Sequence, residues 1–199
     1  MKTTTKSTIF KNIKSKVLSY THVDEAPLKY ALDFYKIIHL KKGERLVSPG
    51  QIVDHFYYLE KGCISFYKIE EGEIKVLEFY TDDVFFTDLI AYVKETKSNC
   101  YLEATEDTTV FAVKKELAEK SFQKSHQLER FGRLSMQEAF LKTFNRVDRL
   151  NNRSNEERYL RVLNKRPDLL QRVPQYLIAS YLGLTPVGLS KLRKRLGKG

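Results

Sequence analysis

The sequence predicts an α+β fold: an N-terminal antiparallel β-roll with flanking helices, then a long helix, then a C-terminal helix-turn-helix. Three observations predict it. The hydrophobic period is helical at first, strand-like over residues 35–114, and helical again to the end. The strand-like part is cut into short runs by glycine turn signals. Near the C-terminus, a small residue and a glycine stand four positions apart inside an apolar comb, the pattern of two short helices crossing at a tight turn.

Taken in order, Ile9, Phe10, Ile13, Val17 and Leu18 keep helical spacing, so residues 7–35 form one or two amphipathic helices broken near Asp24–Pro27. The runs YKIIHL, ERLVS, HFYYLE, CISFYKI, IKVLEFY, NCYLEA and TVFAVK follow, rich in aromatic and β-branched residues. Lys42-Gly43, Pro49-Gly50, Lys61-Gly62 and Glu71-Gly72 punctuate them, which suits an antiparallel barrel or roll of seven or eight strands. After Val113 a helical stretch runs from about Lys115 to Leu150. Phe140, Phe144 and Val147 step by four and three, as a helix-packing seam does, and Phe131, Leu134 and Leu141 mark a neighbouring face. Two apolar faces imply two partners: the roll, and the same helix of a second chain. NNRSNEER interrupts the helix, with Ser154 and Glu157 spaced as a capping box, and helices follow at about 155–165, 174–182 and 186–196. The expected units are 1–114, the roll; 115–152, the long dimerisation helix; and 153–199, the helix-turn-helix.

Composition narrows the function. The 199 residues include 12 Tyr and 12 Phe, enough apolar material for a packed core. Residues 1–113 hold 15 Lys+Arg against 17 Asp+Glu, whereas residues 114–199 hold 20 against 8, so the net charge of +10 resides in the back half. Such asymmetry points to a polyanion bound by the C-terminal part. Cys63 and Cys100 lie in no CxxC pair, and His22, His39, His55 and His126 are scattered, so no disulfide framework, zinc site, iron–sulfur cluster, haem or other cofactor is expected. The longest uncharged apolar stretch, Tyr176 to Leu184, is too short to span a bilayer, and no signal peptide is evident, so a cytoplasmic protein without a membrane partner is expected. Asp82 and Asp83 suit a turn; no nucleophile–base pairing is evident, and an enzyme is disfavoured.

The function is carried by YLIASYLGLTPVGLSKLRKRL. Ala179 is the small residue at the crossing, Gly183 supplies the turn, and Ile178, Leu182, Leu184, Leu189 and Leu192 form the comb. Thr185 is a suitable N-cap and Pro186 fits the first helical turn. Thr185, Pro186, Val187, Ser190 and Lys191 then lie where a recognition helix meets base edges: Lys191 can reach guanine and Val187 a thymine methyl. Arg193, Lys194, Arg195 and Lys198 suit phosphate contacts, which position the helix without reading sequence. An ordinary helical hairpin with a basic solvated face would share the charge but has no need of the alanine–glycine spacing.

SNEERYLRVLNKRPDLLQRVPQYLIASYLGLTPVGLSKLRKRL resembles the C-terminal domain of the Crp/Fnr (catabolite-activator) family of bacterial transcription regulators. GERLVSPGQIVDHFYYLEKGCISFYKIEEGEIKVLEFYTDD is similar to that family's cyclic-nucleotide-binding-type roll, a double-stranded β-helix. The resemblance covers roughly residues 25–196. It implies a homodimer joined along the long helix, a ligand-sensing roll, duplex DNA as partner, and RNA polymerase as a further one.

The chain departs from the family at the ligand cassette, a Gly-Glu pair followed about ten residues later by an Arg and a small hydroxyl residue. In FFTDLIAYVKETKSNCYLEA, Thr87 replaces the glycine, Asp88 the glutamate, Ser98 the arginine and Asn99 the hydroxyl residue, with Leu89 beside them. Without the guanidinium fork a buried phosphate lacks its countercharge. No response to cyclic AMP is expected; the roll either senses another small molecule or serves as a scaffold. On the recognition helix, Gly188 weakens the helix by about 1 kcal/mol relative to alanine. The chain also ends without the family's β-hairpin wing, so specificity is expected to lean on phosphates and DNA shape. The expected function is a dimeric, sequence-specific DNA-binding regulator; the alternative is a small-ligand-binding roll with weak or vestigial DNA binding.

Overall fold

A computed structural model of the chain describes residues 6–197; Lys198 and the Ile9 side chain lie outside the described residues. Two helices, α1 (Lys6–Tyr20) and α2 (Glu25–Leu32), precede the strands. The break falls at residues 21–24, and Pro27 sits inside the first turn of α2, where its missing N–H costs nothing. Eight strands follow: β1 (Lys36–Leu40), β2 (Arg45–Val47), β3 (His55–Lys61), β4 (Cys63–Glu70), β5 (Glu73–Thr81), β6 (Val84–Phe86), β7 (Tyr101–Ala104) and β8 (Thr108–Lys114). They form two antiparallel four-stranded sheets, ordered β1-β8-β3-β6 and β2-β7-β4-β5.

Three apolar cores explain why the strands are apolar on both faces. Tyr57, Leu59, Ile64, Phe86, Leu102 and Val110 fill the space between the sheets. The alternate residues Tyr58, Phe85 and Phe111 cover the outer face of the first sheet and meet Ile13, Val17, Leu28, Leu128 and Phe131 of the flanking helices. Cys63, Tyr67, Val76 and Phe79 cover the outer face of the second sheet and pack into the C-terminal helices. The β3–β4 turn needs a glycine: Gly62 has φ +116°, and a Cβ there would lie 2.3 Å from Thr108 Oγ1.

The helical stretch after the roll is not continuous. α4 (Lys115–Lys124) ends at Ser125, which is extended (φ −153°, ψ 116°), and α5 (His126–Asn152) begins anew. Ser125 acts as the cap of α5: its carbonyl accepts from Glu129 N at 3.0 Å and its hydroxyl from Leu128 N at 3.4 Å. The single helix expected over 115–152 is therefore two. Leu128 and Phe131 of α5 are buried on the roll, whereas Phe140, Leu141, Phe144 and Val147 are 64, 55, 62 and 52% exposed. Leu141 thus lies with the exposed seam and not with Phe131. The interruption after α5 does hold a capping box, Ser154 N to Glu157 Oε2 at 2.8 Å and Glu157 N to Ser154 Oγ at 3.2 Å. The last four helices are α6 (Asn155–Lys165), α7 (Pro167–Arg172), α8 (Gln175–Tyr181) and α9 (Pro186–Arg195). Strand β6, the six-residue helix α3 (Leu89–Lys94) and α7 were not expected, because elements this short carry too few residues to show a period.

Candidate nucleic-acid interface

Helices α8 and α9 cross over a buried comb. Ile178, Ala179, Leu182, Leu189 and Leu192 are each at most 6% exposed. Gly183 lies outside that core and makes the turn: its φ is +70°. Leu184 N donates to Ala179 O at 2.8 Å and Gly183 N to Ser180 O at 2.9 Å, a Schellman closure that satisfies the last carbonyls of α8. Thr185 caps α9 by accepting from Gly188 N at 3.1 Å. A side chain at 188 would crowd that hydroxyl, since a Cβ would lie 3.2 Å from it, so Gly188 suits the tight first turn.

The outward side of α9 carries Pro186, Val187, Ser190, Lys191 and Lys194, all exposed, with Val187 at 64%. Arg193 is half-buried, and Arg195 pairs with Glu156 of α6 at 2.8 Å, which directs it back onto the protein. No acidic residue occurs in α8, α9 or the turn between them.

Several arginines in the basic half hold the chain together. Arg158 donates to Leu182 O, Leu150 O and Arg153 O at 2.9, 3.2 and 2.7 Å, tying α6 to the ends of α5 and α8. On β5, an edge strand, Ser180 Oγ donates to Ile74 O at 2.7 Å and accepts from Val76 N at 2.9 Å, while Arg146 donates to Val76 O at 2.8 Å and lies over the Tyr181 ring. These contacts cover backbone groups that an edge strand would otherwise present to other chains. Arg166 pairs with Glu78 at 2.9 Å and donates to Phe79 O at 2.7 Å. Arg172 reaches Glu106, Asp82 and the Gly62 carbonyl. The hydrogen bond to Glu106, followed by that to Asp82, holds the Arg172 guanidinium well above its ordinary range. Sequence reasoning missed these docking residues, because nothing in local spacing couples residue 172 to 82 and 106.

The cassette positions come together in the roll as a closed polar knot. Thr87, Asp88 and Ser98 are buried, Leu89 is half-buried and Asn99 is exposed. Ser98 Oγ donates to Asp88 Oδ2 at 2.7 Å and accepts from Cys100 N at 2.9 Å; Asp88 caps α3 through Ala91 N; Thr87 Oγ1 donates to His55 O at 2.9 Å. Lys94 and Lys97 are exposed. Burial pushes the thiols of Cys63 and Cys100 up to about 11, so neither is a reactive thiolate. Among the described residues no cluster of three His, Cys, Asp or Glu side chains is placed to hold a metal ion.

Comparison with known proteins accords with this architecture. Residues 37–125 match the family described as the cyclic nucleotide-binding domain. FixK2 from Bradyrhizobium japonicum superposes with a TM-score of 0.68 at 19% identity, over 82% of this chain and 84% of that one. The c-di-GMP responsive global regulator CLP of Xanthomonas campestris gives 0.68 at 18% identity, over 87% and 92%. Catabolite activator protein of Thermus thermophilus gives 0.56 at 15% identity, over 92% and 87%. No curated protein matches the chain. The roll is thus a cyclic-nucleotide-binding-type domain, and the chain as a whole has the fold of the Crp/Fnr regulators.

Proposed function

We propose that this chain, built on the Crp/Fnr fold, is a dimeric, sequence-specific DNA-binding transcription regulator that does not respond to cyclic AMP. The observation that carries the reading is the outward side of α9: Val187, Ser190, Lys191 and Lys194 stand exposed, free of acidic neighbours on α8 and α9, on a helix held by a buried comb. A helix so presented fits the major groove, with Thr185, Pro186, Val187, Ser190 and Lys191 toward base edges and Arg193 and Lys194 toward phosphates. The exposed seam of Phe140, Phe144 and Val147 supports dimerisation through α5, which would place two recognition helices ~34 Å apart. The Ser98–Asp88 bond supports the absence of a cyclic AMP response, since a phosphate placed there would meet a carboxylate and no guanidinium. Residues 1–114, 115–152 and 153–199 are the proposed sensor, dimerisation and DNA-binding units of a cytoplasmic protein, with RNA polymerase as a further partner. No helix among the described residues is long and apolar enough to cross a membrane.

The test is a salt titration of binding to random duplex DNA, with the bound fraction sequenced. If each subunit neutralises about four phosphates, log K falls against log salt with a slope near −7, and an inverted repeat is enriched. Lys191→Ala relaxes sequence preference, and Arg193→Ala weakens all sequences about equally. Absence of binding at low salt overturns the reading.

A further inference from the structure

We propose that Glu156 is a built-in competitor of DNA phosphate: by holding Arg195 it keeps one cation per chain off the duplex backbone and restrains sequence-independent binding. The inference rests on the DNA-binding reading of α9 and assigns a residue outside α9 that tunes it. Arg195 Nη2 lies 2.8 Å from Glu156 Oε2, a charge-assisted hydrogen bond between residues 39 apart in the chain.

Both ends of the pair sit on fixed helices. Glu156 lies in the first turn of α6, whose start is pinned by the Ser154–Glu157 capping box. Arg195 closes α9, and the two helices share one core through Tyr159, Val162, Leu189, Leu192 and Leu196. The neighbouring acids are engaged elsewhere. Glu157 serves the box and pairs with Arg153 at 3.5 Å, and Asp168 pairs with Arg172 at 3.5 Å. Glu156 instead reaches across to α9.

The place of Arg195 on α9 makes it a phosphate ligand once released. It stands four residues after Lys191, so the two side chains are neighbours on the helix surface. Lys191 and Lys194 are exposed on the outward side, and the Arg195 side chain is itself 66% exposed. A duplex docked on Lys191 therefore brings its backbone toward the guanidinium fork, which suits phosphate. In the complex Glu156, with its side chain 42% exposed, either keeps the guanidinium or stands unpaired beside the phosphates. Both outcomes weaken binding. The pair is a surface one, so the effect per chain is modest, about two- to fivefold in affinity.

The test is fluorescence anisotropy of labelled random duplex DNA titrated with the full chain, wild type and variants, between about 0.05 and 0.2 M salt. Glu156→Gln should bind about tenfold tighter than wild type at the low end, the gains of two chains multiplied. Its salt slope should steepen by about two, from near −7 to near −9, as each chain of a dimer neutralises one more phosphate, so the gain fades toward the high end. A selected inverted repeat should gain as much as random DNA, because a phosphate contact reads no sequence. Adding Arg195→Gln to Glu156→Gln should restore the wild-type slope. Glu157→Gln removes the same charge one residue away and should leave the slope near wild type; circular dichroism verifies that each variant folds. Unchanged binding by Glu156→Gln, an equal gain in Glu157→Gln, or a gain that persists without Arg195 overturns the proposal and leaves the DNA-binding reading standing. No binding by any of these chains at low salt overturns both.

Discussion

Arg172 is the side chain on which the docking of the C-terminal helices onto the roll is most concentrated. Arg172→Met keeps most of the aliphatic stem and removes the guanidinium. That group donates to Glu106 Oε1 through Nη2 at 2.5 Å and Nε at 3.1 Å, to Asp82 Oδ2 at 3.2 Å, and to Gly62 O at 2.8 Å. The Arg172 side chain is 23% exposed and Glu106 33%, so their mutual bond approaches the lower part of the charge-assisted range, about 1.5–3 kcal/mol. Asp82 is 48% exposed, and its pair is worth nearer the surface value of about 0.2–1 kcal/mol. The Gly62 carbonyl contributes about 1 kcal/mol. The variant should therefore lose about 3 kcal/mol in urea unfolding followed by circular dichroism. Arg172→Lys should recover only a minor part, because a point charge cannot serve two carboxylates and a carbonyl on three different inter-strand turns. A loss under about 0.5 kcal/mol for Arg172→Met, or full recovery by lysine, would refute the clamp as the physical basis of docking.

Three further outcomes are expected. Gly62→Ala should destabilise the chain by about 2–3 kcal/mol, since φ +116° and the 2.3 Å approach to Thr108 Oγ1 oppose any Cβ; the urea midpoint measures it. Phe144→Glu should shift sedimentation from dimer to monomer with little change in helix content, because Phe144 is 62% exposed and supports no intrachain core. Glu157 is held below the ordinary glutamate range, first by the Ser154 backbone N–H and then by the Ser154 side chain. A carboxyl lowered in the folded state contributes stability above its unfolded value, about 4.3, and loses it as pH falls through the folded value. The difference in urea midpoint between wild type and Glu157→Gln should therefore be full at pH 7 and close as the solution is acidified.

Much of the fold is legible in the chain because its signals are local. Gly43, Gly50, Gly62 and Gly72 all adopt positive φ, and each stands where the strand runs separate. Ser154 and Glu157 form their capping box within four residues. The helix-turn-helix comb is legible for the same reason: Ala179, Gly183 and the leucines need only helical geometry to meet. Ser125 was missed because a single extended residue between two helical runs leaves their apolar spacing nearly intact.

By itself, the sequence determined the order of helix and strand, the turns, the small-residue crossing of α8 and α9, and the presence of a serine and not a cation at position 98. Each follows from φ/ψ preference, period or the presence of a functional group. Only the tertiary structure decided how the basic half uses its charge. Arg146, Arg166 and Arg172 face the roll and Arg195 faces α6, leaving Lys191 and Lys194 exposed on α9. Tertiary packing likewise closed Ser98 onto Asp88 and brought Ser180 to the free edge of β5. These partners lie between 10 and 106 residues apart, or on elements that only folding brings together, and a hydrogen bond across that distance has no signature in sequence spacing.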